Sequence, residues 1–243
     1  MKKINQEWWL DLFDTSAIGF FVPTRVDKKE VNFLKKLLDR KETILDLGCG
    51  TGRFSLSLAK LGHTVYALDA NKFYLKVLEK GARKKKINNR IITLHLDMRN
   101  LEKLKGIKFD AVLLAGNTFG YFSHAENIDL LKNIAKILKS NGKLIIQQSN
   151  FDFVESNLKS KDFFENEKYL FLSKNKWRKS KNKIIIQTTW TIIDKKKNVK
   201  TEKIQKFTLY NPLYLAKISK KFSFELQIIK TINGMDWMVF VLK

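Results

Sequence analysis

Asp46 and three alternate glycines, Gly48, Gly50 and Gly52, follow an apolar run in the stretch I-L-D-L-G-C-G-T-G. A helical pattern begins at once with Arg53, Phe54, Leu56, Leu58, Ala59 and Leu61. A buried strand that breaks into a glycine loop and then a helix sets backbone N–H groups where a nucleoside-type ligand can lie against them. Glycine alone allows such close approach together with positive φ. The spacing separates ligands. A dinucleotide fingerprint, G-x-G-x-x-G, would place its third glycine at position 53, which is Arg53, so a nicotinamide cofactor is disfavoured.

Two further acids end apolar runs. Asp69 closes the stretch 63–68 and lies 17 residues beyond Gly52, near the offset of about 20 residues typical of ribose-binding acids. Asp97, followed by Met98, closes 90–96. One such aspartate is often only a turn or cap residue. Three of them ending successive strands would share one edge of a sheet.

The D-x-G-x-G-x-G pattern and the acids after it resemble motif I and its successors in the class I S-adenosylmethionine (SAM)-dependent methyltransferases of small-molecule type. The resemblance covers residues 40–150 well and 210–243 loosely. It implies SAM as cofactor and S-adenosylhomocysteine as product. Asp46, Gly48, Gly50 and Gly52 would border the methionine moiety. Cys49, the one cysteine, would pack within that cradle and not act as a nucleophile. Asp69 would take the ribose hydroxyls, Ala70 would flank the adenine, and Asp97 with Met98 would hold and cover it.

Residues 115–124, A-G-N-T-F-G-Y-F-S-H, would lie beside the reactive methyl, with Ala115 on the cofactor side. The N-P-P-Y type sequence of amino-methylating DNA and protein-glutamine enzymes is missing. Asn117, Phe119 and Tyr121 would shape the acceptor site, and His124 would be the candidate general base. His63 and His95 fall in strand patterns and read as structural. Arg25 would pair with the SAM carboxylate. Trp8 and Trp9 would either stack on a planar acceptor or pin an N-terminal helix. No metal site is expected.

The elements that position these residues alternate between period 2 and period 3.6. Strands are predicted at 43–47, 63–68, 90–96, 109–115 and 143–148. Helices are predicted at 4–13, 27–40 with Asp27 as cap, from the glycine loop to Gly62, 72–86 and 126–138, the last closed by Asn141-Gly142. Residues 151–167 read as helix or lid, and 169–172, 184–193 and 203–209 as antiparallel strands. A helix from Asn211-Pro212 to 220 and a hairpin around Asn233-Gly234 end the chain. The expected fold is α/β, a doubly wound, mostly parallel seven-stranded sheet with an antiparallel last strand and an antiparallel β-rich insertion after strand five. The expected organisation is a lid segment and SAM-binding core at 1–150, an acceptor-side insertion at 151–210, and a return to the core at 211–243.

Net charge is +23 over 243 residues, but only seven of the 47 basic residues are arginine. Base-edge readout favours the arginine fork, so this excess is weak evidence for nucleic acid. Residues 168–221 hold fifteen lysines and Arg178 against Asp194 and Glu202, a local field that would draw in an anionic acceptor. The expected activity is methyl transfer to O or N of a small anionic metabolite, such as a sugar- or nucleotide-type acceptor. RNA methylation through the lysine-rich insert ranks second, and a non-catalytic SAM-binding protein third. No run approaches the ~20 apolar residues of a membrane span. A cytoplasmic monomer or homodimer is expected.

Overall fold

The computed structural model describes residues 8–13, 26–39 and 41–243. Arg25, expected to pair with the SAM carboxylate, lies outside the described residues. The chain opens with α1 (Trp8–Leu12) and α2 (Lys28–Leu37). Asp27 and Glu30 start α2 with a capping box: Asp27 accepts from the Lys29 N–H at 2.7 Å, and Glu30 accepts from the Asp27 N–H at 3.1 Å.

The core then alternates: β1 (Thr43–Leu47), α3 (Arg53–Lys60), β2 (Thr64–Asp69), α4 (Lys72–Lys84), β3 (Ile91–His95), β4 (Phe109–Leu114), α5 (His124–Ile137) and β5 (Leu138–Ser149). After α6 (Phe151–Asn157) come β6 (Lys161–Glu165), β7 (Tyr169–Ser180), β8 (Lys183–Asp194) and β9 (Val199–Tyr210). Then α7 (Pro212–Ser219), β10 (Phe224–Ile232) and β11 (Met235–Leu242) return to the core.

The main sheet has the order β10-β11-β5-β4-β1-β2-β3, with β11 antiparallel to both neighbours, and β6 to β9 form a separate four-stranded antiparallel sheet. This is the expected fold class. Alternate residues of the parallel strands enter two apolar clusters. Leu45, Val112, Leu114 and Leu144 join one, while Ile44, Ala111, Leu113 and Ile145 join the other. Both faces are therefore covered, which explains why these strands read as unbroken apolar runs. Strand order reverses between β1 and β4, so the loops after them flank the crevice where open α/β sheets take ligands.

Three elements differ from the sequence reading. Ser123 and Glu126 form a capping box that starts α5 at His124, two residues early. Asn141-Gly142 does not close that helix. It lies inside β5, where pairing with β4 skips from Leu138 to Lys143. Residues 161–165 and 174–180 are strands because they pair with β7 and β8, a tertiary gain that their polar side chains hide.

The insert is stitched to the core beside the crevice. Gln148 of β5 donates to the Tyr210 carbonyl at 2.6 Å, and the Thr208 N–H donates to the Gly120 carbonyl at 2.8 Å.

Candidate active site

A cavity of about 520 Å³ opens above the carboxyl ends of β1, β2 and β4, within the range usual for small-ligand sites. The glycine loop forms one wall through Gly48, Cys49 and Gly50. Asp69 and Ala70 follow β2, Asp97 and Met98 follow β3, and Ala115, Gly116, Asn117 and Thr118 follow β4. Trp9, Leu10 and Phe13 border it from the N-terminal segment. The aspartates at 46, 69 and 97 therefore do share one sheet edge and one cavity.

The glycines divide the work. At Gly48, φ is +67° and an added Cβ would stand 2.6 Å from Thr118 Cγ2 and 3.1 Å from Met98 Cε. At Gly52, φ is +84° and a Cβ would meet Leu78 Cδ1 at 2.2 Å. Gly52 does not line the cavity; it lets α3 pack on α4. The loop's N–H groups also differ from expectation. Gly48 and Cys49 donate to the Leu68 carbonyl, Gly50 to Asp69, and Gly52 to the Cys49 carbonyl. The loop is a shaped wall, not a nest of free donors for phosphate.

Charge supports the same conclusion. Among the described residues, five carboxylates line the cavity, those of Asp27, Glu30, Asp46, Asp69 and Asp97, against one cation, Arg53. In a chain of net charge +23 this is a local inversion. An acidic, donor-poor cavity favours a cationic ligand over a pyrophosphate.

Asp69 accepts from the Gly50 N–H at 2.7 Å and from the Asn71 N–H at 2.8 Å, one bond on each oxygen. A carboxylate has about four acceptor sites, so the remainder are left for a ligand. Burial raises its pKa, and those two bonds oppose the shift. Cys49 is buried, and burial followed by the Asp69 and Asp46 charges pushes its thiol well up. It is inert as a nucleophile. His95 Nε2 lies 3.0 Å from the Ala70 carbonyl and steadies that turn. The His63 ring accepts from the buried Glu42 N–H at 3.2 Å. Asp97 is held by the Arg99 guanidinium, with its shortest contact at 2.6 Å.

Asp46 is 2% exposed and accepts from Ser55 Oγ at 2.5 Å. Burial raises its carboxyl from the ordinary 3.8 to about 6. The folded state thus holds this proton more tightly than the unfolded chain. The resulting stability is present below pH 3.8 and is lost as pH rises to about 6. A rise from 3.8 to about 6 corresponds to ~3 kcal/mol, of which ~2 kcal/mol is lost between pH 4 and pH 7. Asp46→Asn keeps an acceptor for Ser55 without the charge. Urea unfolding at pH 4 and pH 7 should show the variant gaining ~2 kcal/mol on the wild type between the two. An identical pH dependence in both proteins would refute the assignment.

The structure adds residues that the sequence reading missed. Gln147 Nε2 donates to Glu30 at 2.6 Å, while Gln147 Oε1 accepts from Arg53 at 3.1 Å and from the Gly116 N–H at 2.9 Å. Arg53 lies 3.6 Å from Glu30. This buried network locks α2, α3 and β5 around the loop after β4. Its one sequence signal was Glu30, a carboxylate in the D-x-x-E capping box. Glu30→Ala strands Arg53 in a half-dry site and should cost about 2 kcal/mol in urea unfolding. An unchanged midpoint would show that the network is idle.

The expected acceptor-side residues separate. Asn117 lines the cavity, but its carboxamide is spent on Ser149, accepting from the N–H at 2.6 Å and donating to Oγ at 3.0 Å. It positions the loop. Tyr121 stays at the cavity wall, with its phenol pushed up by burial and then by Asp69, so it remains neutral. Trp8 meets Tyr121 edge-on at 5.0 Å and Trp9 meets Phe122 at 5.1 Å. Both tryptophans are buried, so they pin α1. His124 does not reach this cavity. It faces a second cleft, because α5 starts at that residue and turns it toward the insert.

Residues 44–142 match a methyltransferase-domain family. The glycine N-methyltransferase of Mus musculus is 34% identical over 124 residues, covering 46% of this chain and 42% of that protein. The ubiquinone biosynthesis O-methyltransferase of Pelagibacter ubique is 29% identical over 157 residues, 61% of this chain and 62% of that one. The chain thus spans less than two thirds of each of these relatives. Among solved structures, the CcbJ methyltransferase of Streptomyces caelestis superposes with a TM-score of 0.75 at 17% identity, covering 88% of this chain and 89% of that one. The amino pentose methyltransferase CalS10 of Micromonospora echinaspora gives 0.65 at 15%, covering 88% and 86%. Residues 44–142 thus resemble a methyltransferase domain, and the chain has the fold of these solved methyltransferases.

Proposed function

We propose that the protein is a SAM-dependent methyltransferase that methylates O or N of a small anionic metabolite of the sugar or nucleotide type. The acidic, donor-poor cavity around Asp69 carries the SAM part of this reading, because SAM brings a sulfonium and an ammonium, with one carboxylate and no phosphate. Asp69 would accept from the ribose hydroxyls. Ala70, Asp97 and Met98 would border the adenine. Asp46, Gly48, Cys49, Gly50 and Ala115 would border the methionine end.

The bound sulfonium supplies an already activated methyl group, so the protein's work is alignment and exclusion of water. Asn117, tied to Ser149, fixes the loop after β4. Neutral Tyr121 and the aromatic side chains of α1 exclude solvent. Residues 151–210 and the N-terminal segment would form the acceptor side. Two solved proteins of the same fold, an amino pentose methyltransferase and a glycopeptide N-methyltransferase, support a sugar-type acceptor by analogy of fold. A cytoplasmic monomer or homodimer is the setting proposed.

The test is release of S-adenosylhomocysteine from SAM over a panel of acceptors. Phosphorylated and nucleotide-linked sugars, amino sugars among them, should support turnover, and uncharged counterparts should not. Turnover confined to neutral acceptors would remove the anionic clause. The fifteen lysines of residues 168–221 favour RNA as the second reading. An RNA enzyme should bind tRNA with a steep salt slope and methylate it, whereas the reading preferred here expects no methylation of tRNA.

A further inference from the structure

A second cleft, of about 670 Å³, lies between the loop after β4, α1 and the insert sheet. Trp9, Tyr121 and Phe122 line both it and the first cavity, so the two spaces adjoin at these rings. The two spaces have opposite charge. Among the described residues, Lys183, Lys206 and Arg99 line the cleft against one carboxylate, Glu126. Arg99 is engaged by Asp97 and Glu126. Ion pairs in the insert join Lys179 to Glu155, Lys195 to Glu165 and Lys200 to Glu202, and none of these engages Lys183 or Lys206. The register pairs Lys183 with Tyr210 and Ile185 with Thr208, so Lys183 and Lys206 share one face of the insert sheet.

His124 completes the cleft, and its proton can be placed. Asn127 Nδ2 donates to the Phe122 carbonyl at 3.0 Å and to the Tyr210 hydroxyl at 3.2 Å. Turning the amide over would set oxygen against the Phe122 carbonyl, so the nitrogen belongs where it is. Tyr210 is fully buried, and burial pushes its phenol up to about 12. Its hydroxyl accepts from Asn127, and its own buried proton still needs an acceptor; among the described residues His124 Nδ1, 3.1 Å away, is the group placed to take it. Neutral His124 then carries its hydrogen on Nε2. Burial, and then Lys183, lower the imidazole pKa, keeping the ring neutral at pH 7. A ring nitrogen that already bears a proton is a donor, not a base.

The geometry points to the cleft as the anchoring subsite for the acceptor's phosphate or carboxylate: Lys183 and Lys206 supply charge, His124 Nε2–H supplies a directed hydrogen bond, and the rest of the acceptor reaches the first cavity past Tyr121. This rests on the methyltransferase reading for the identity of the ligand, while the anion site itself is testable without it.

Inorganic pyrophosphate is the probe. Protein labelled with ¹⁵N in its histidines is titrated with it in the presence and absence of SAM, and SAM affinity is measured separately by calorimetry. The subsite predicts that His124 shows a protonated Nε2 and an unprotonated Nδ1, and that its resonances shift saturably. Lys183→Ala/Lys206→Ala should weaken pyrophosphate binding about tenfold or more and leave SAM affinity within about twofold. Lys84→Ala/Lys85→Ala, which removes the same charge from an exposed helix end, should change neither. His124→Gln, which retains a donor, should lose less than His124→Ala. Unchanged SAM affinity and circular dichroism establish that each variant is folded.

Equal weakening in both lysine pairs, competition between pyrophosphate and SAM, or protonation of Nδ1 would each overturn the subsite. Failure of SAM to bind would count against the proposed function alone, because the pyrophosphate titration is read without it.

Discussion

Asp69→Ala should weaken SAM binding about a thousandfold while leaving the protein folded. Two effects add. The carboxylate accepts from the Gly50 and Asn71 N–H groups, so its removal frees the loop that walls the cavity and strands two donors. On the proposed function, the variant also loses the acceptor for two ribose hydroxyls. Hydrogen bonds to a charged group contribute roughly 1.5–3 kcal/mol each, and about 4 kcal/mol in total corresponds to that factor. Asp69→Asn should fall between, since one oxygen survives and the amide adds a donor facing the Gly50 or Asn71 N–H. Calorimetry on the three proteins measures this order. Equal SAM affinity in wild type and Asp69→Ala would remove Asp69 from the site.

Gly120→Ala should be the most damaging single methyl group in the loop after β4. Gly120 has φ +113°, and an added Cβ would lie 2.1 Å from the Thr208 carbonyl oxygen. That oxygen belongs to backbone paired in β9, so it cannot swing aside as a side-chain end would. Left-handed backbone costs a residue with a side chain about 1–2 kcal/mol before any clash. Relieving the clash means breaking the bond from the Thr208 N–H to the Gly120 carbonyl and parting the insert from the core. A loss of about 4 kcal/mol of stability is expected, read as a lowered urea midpoint. The same variant should show faster hydrogen exchange in residues 206–210. A wild-type midpoint would mean that the loop and β9 are not in contact.

Much of the core was legible because its signals are local. The run from Ile44 to Gly52 shows a strand, a turn that needs positive φ and a helix start within a few residues. Asp69 and Asp97 sit where apolar runs stop, and a parallel sheet places all strand ends of that kind on one edge. The N–H bookkeeping of the glycine loop was not legible. Gly48 and Cys49 bond to Leu68, a partner that becomes their neighbour only when β1 and β2 pair. Gly52 looked like part of the cradle, yet Leu78, from the next helix, decides its role.

His124 shows the same limit more sharply. Position in the chain put it near the acceptor, but whether it takes or gives a proton depends on Asn127 and Tyr210, the latter 86 residues away. The extra strand length at 174–180 was hidden because its pairing partner, and not its own lysines, holds it. Glu30, Arg53 and Gln147 come from three separate elements and carry no joint periodicity. Side chains that act through distant partners leave little trace in local pattern.

The claim on which the rest depends is that the acidic cavity between the loops after β1, β2 and β4 is a SAM site. Calorimetry of the wild-type protein with SAM, beside nicotinamide adenine dinucleotide at equal concentration, tests it most directly. Saturable one-to-one binding of SAM with no heat from the dinucleotide is the result expected. Binding of the dinucleotide with none of SAM would contradict it.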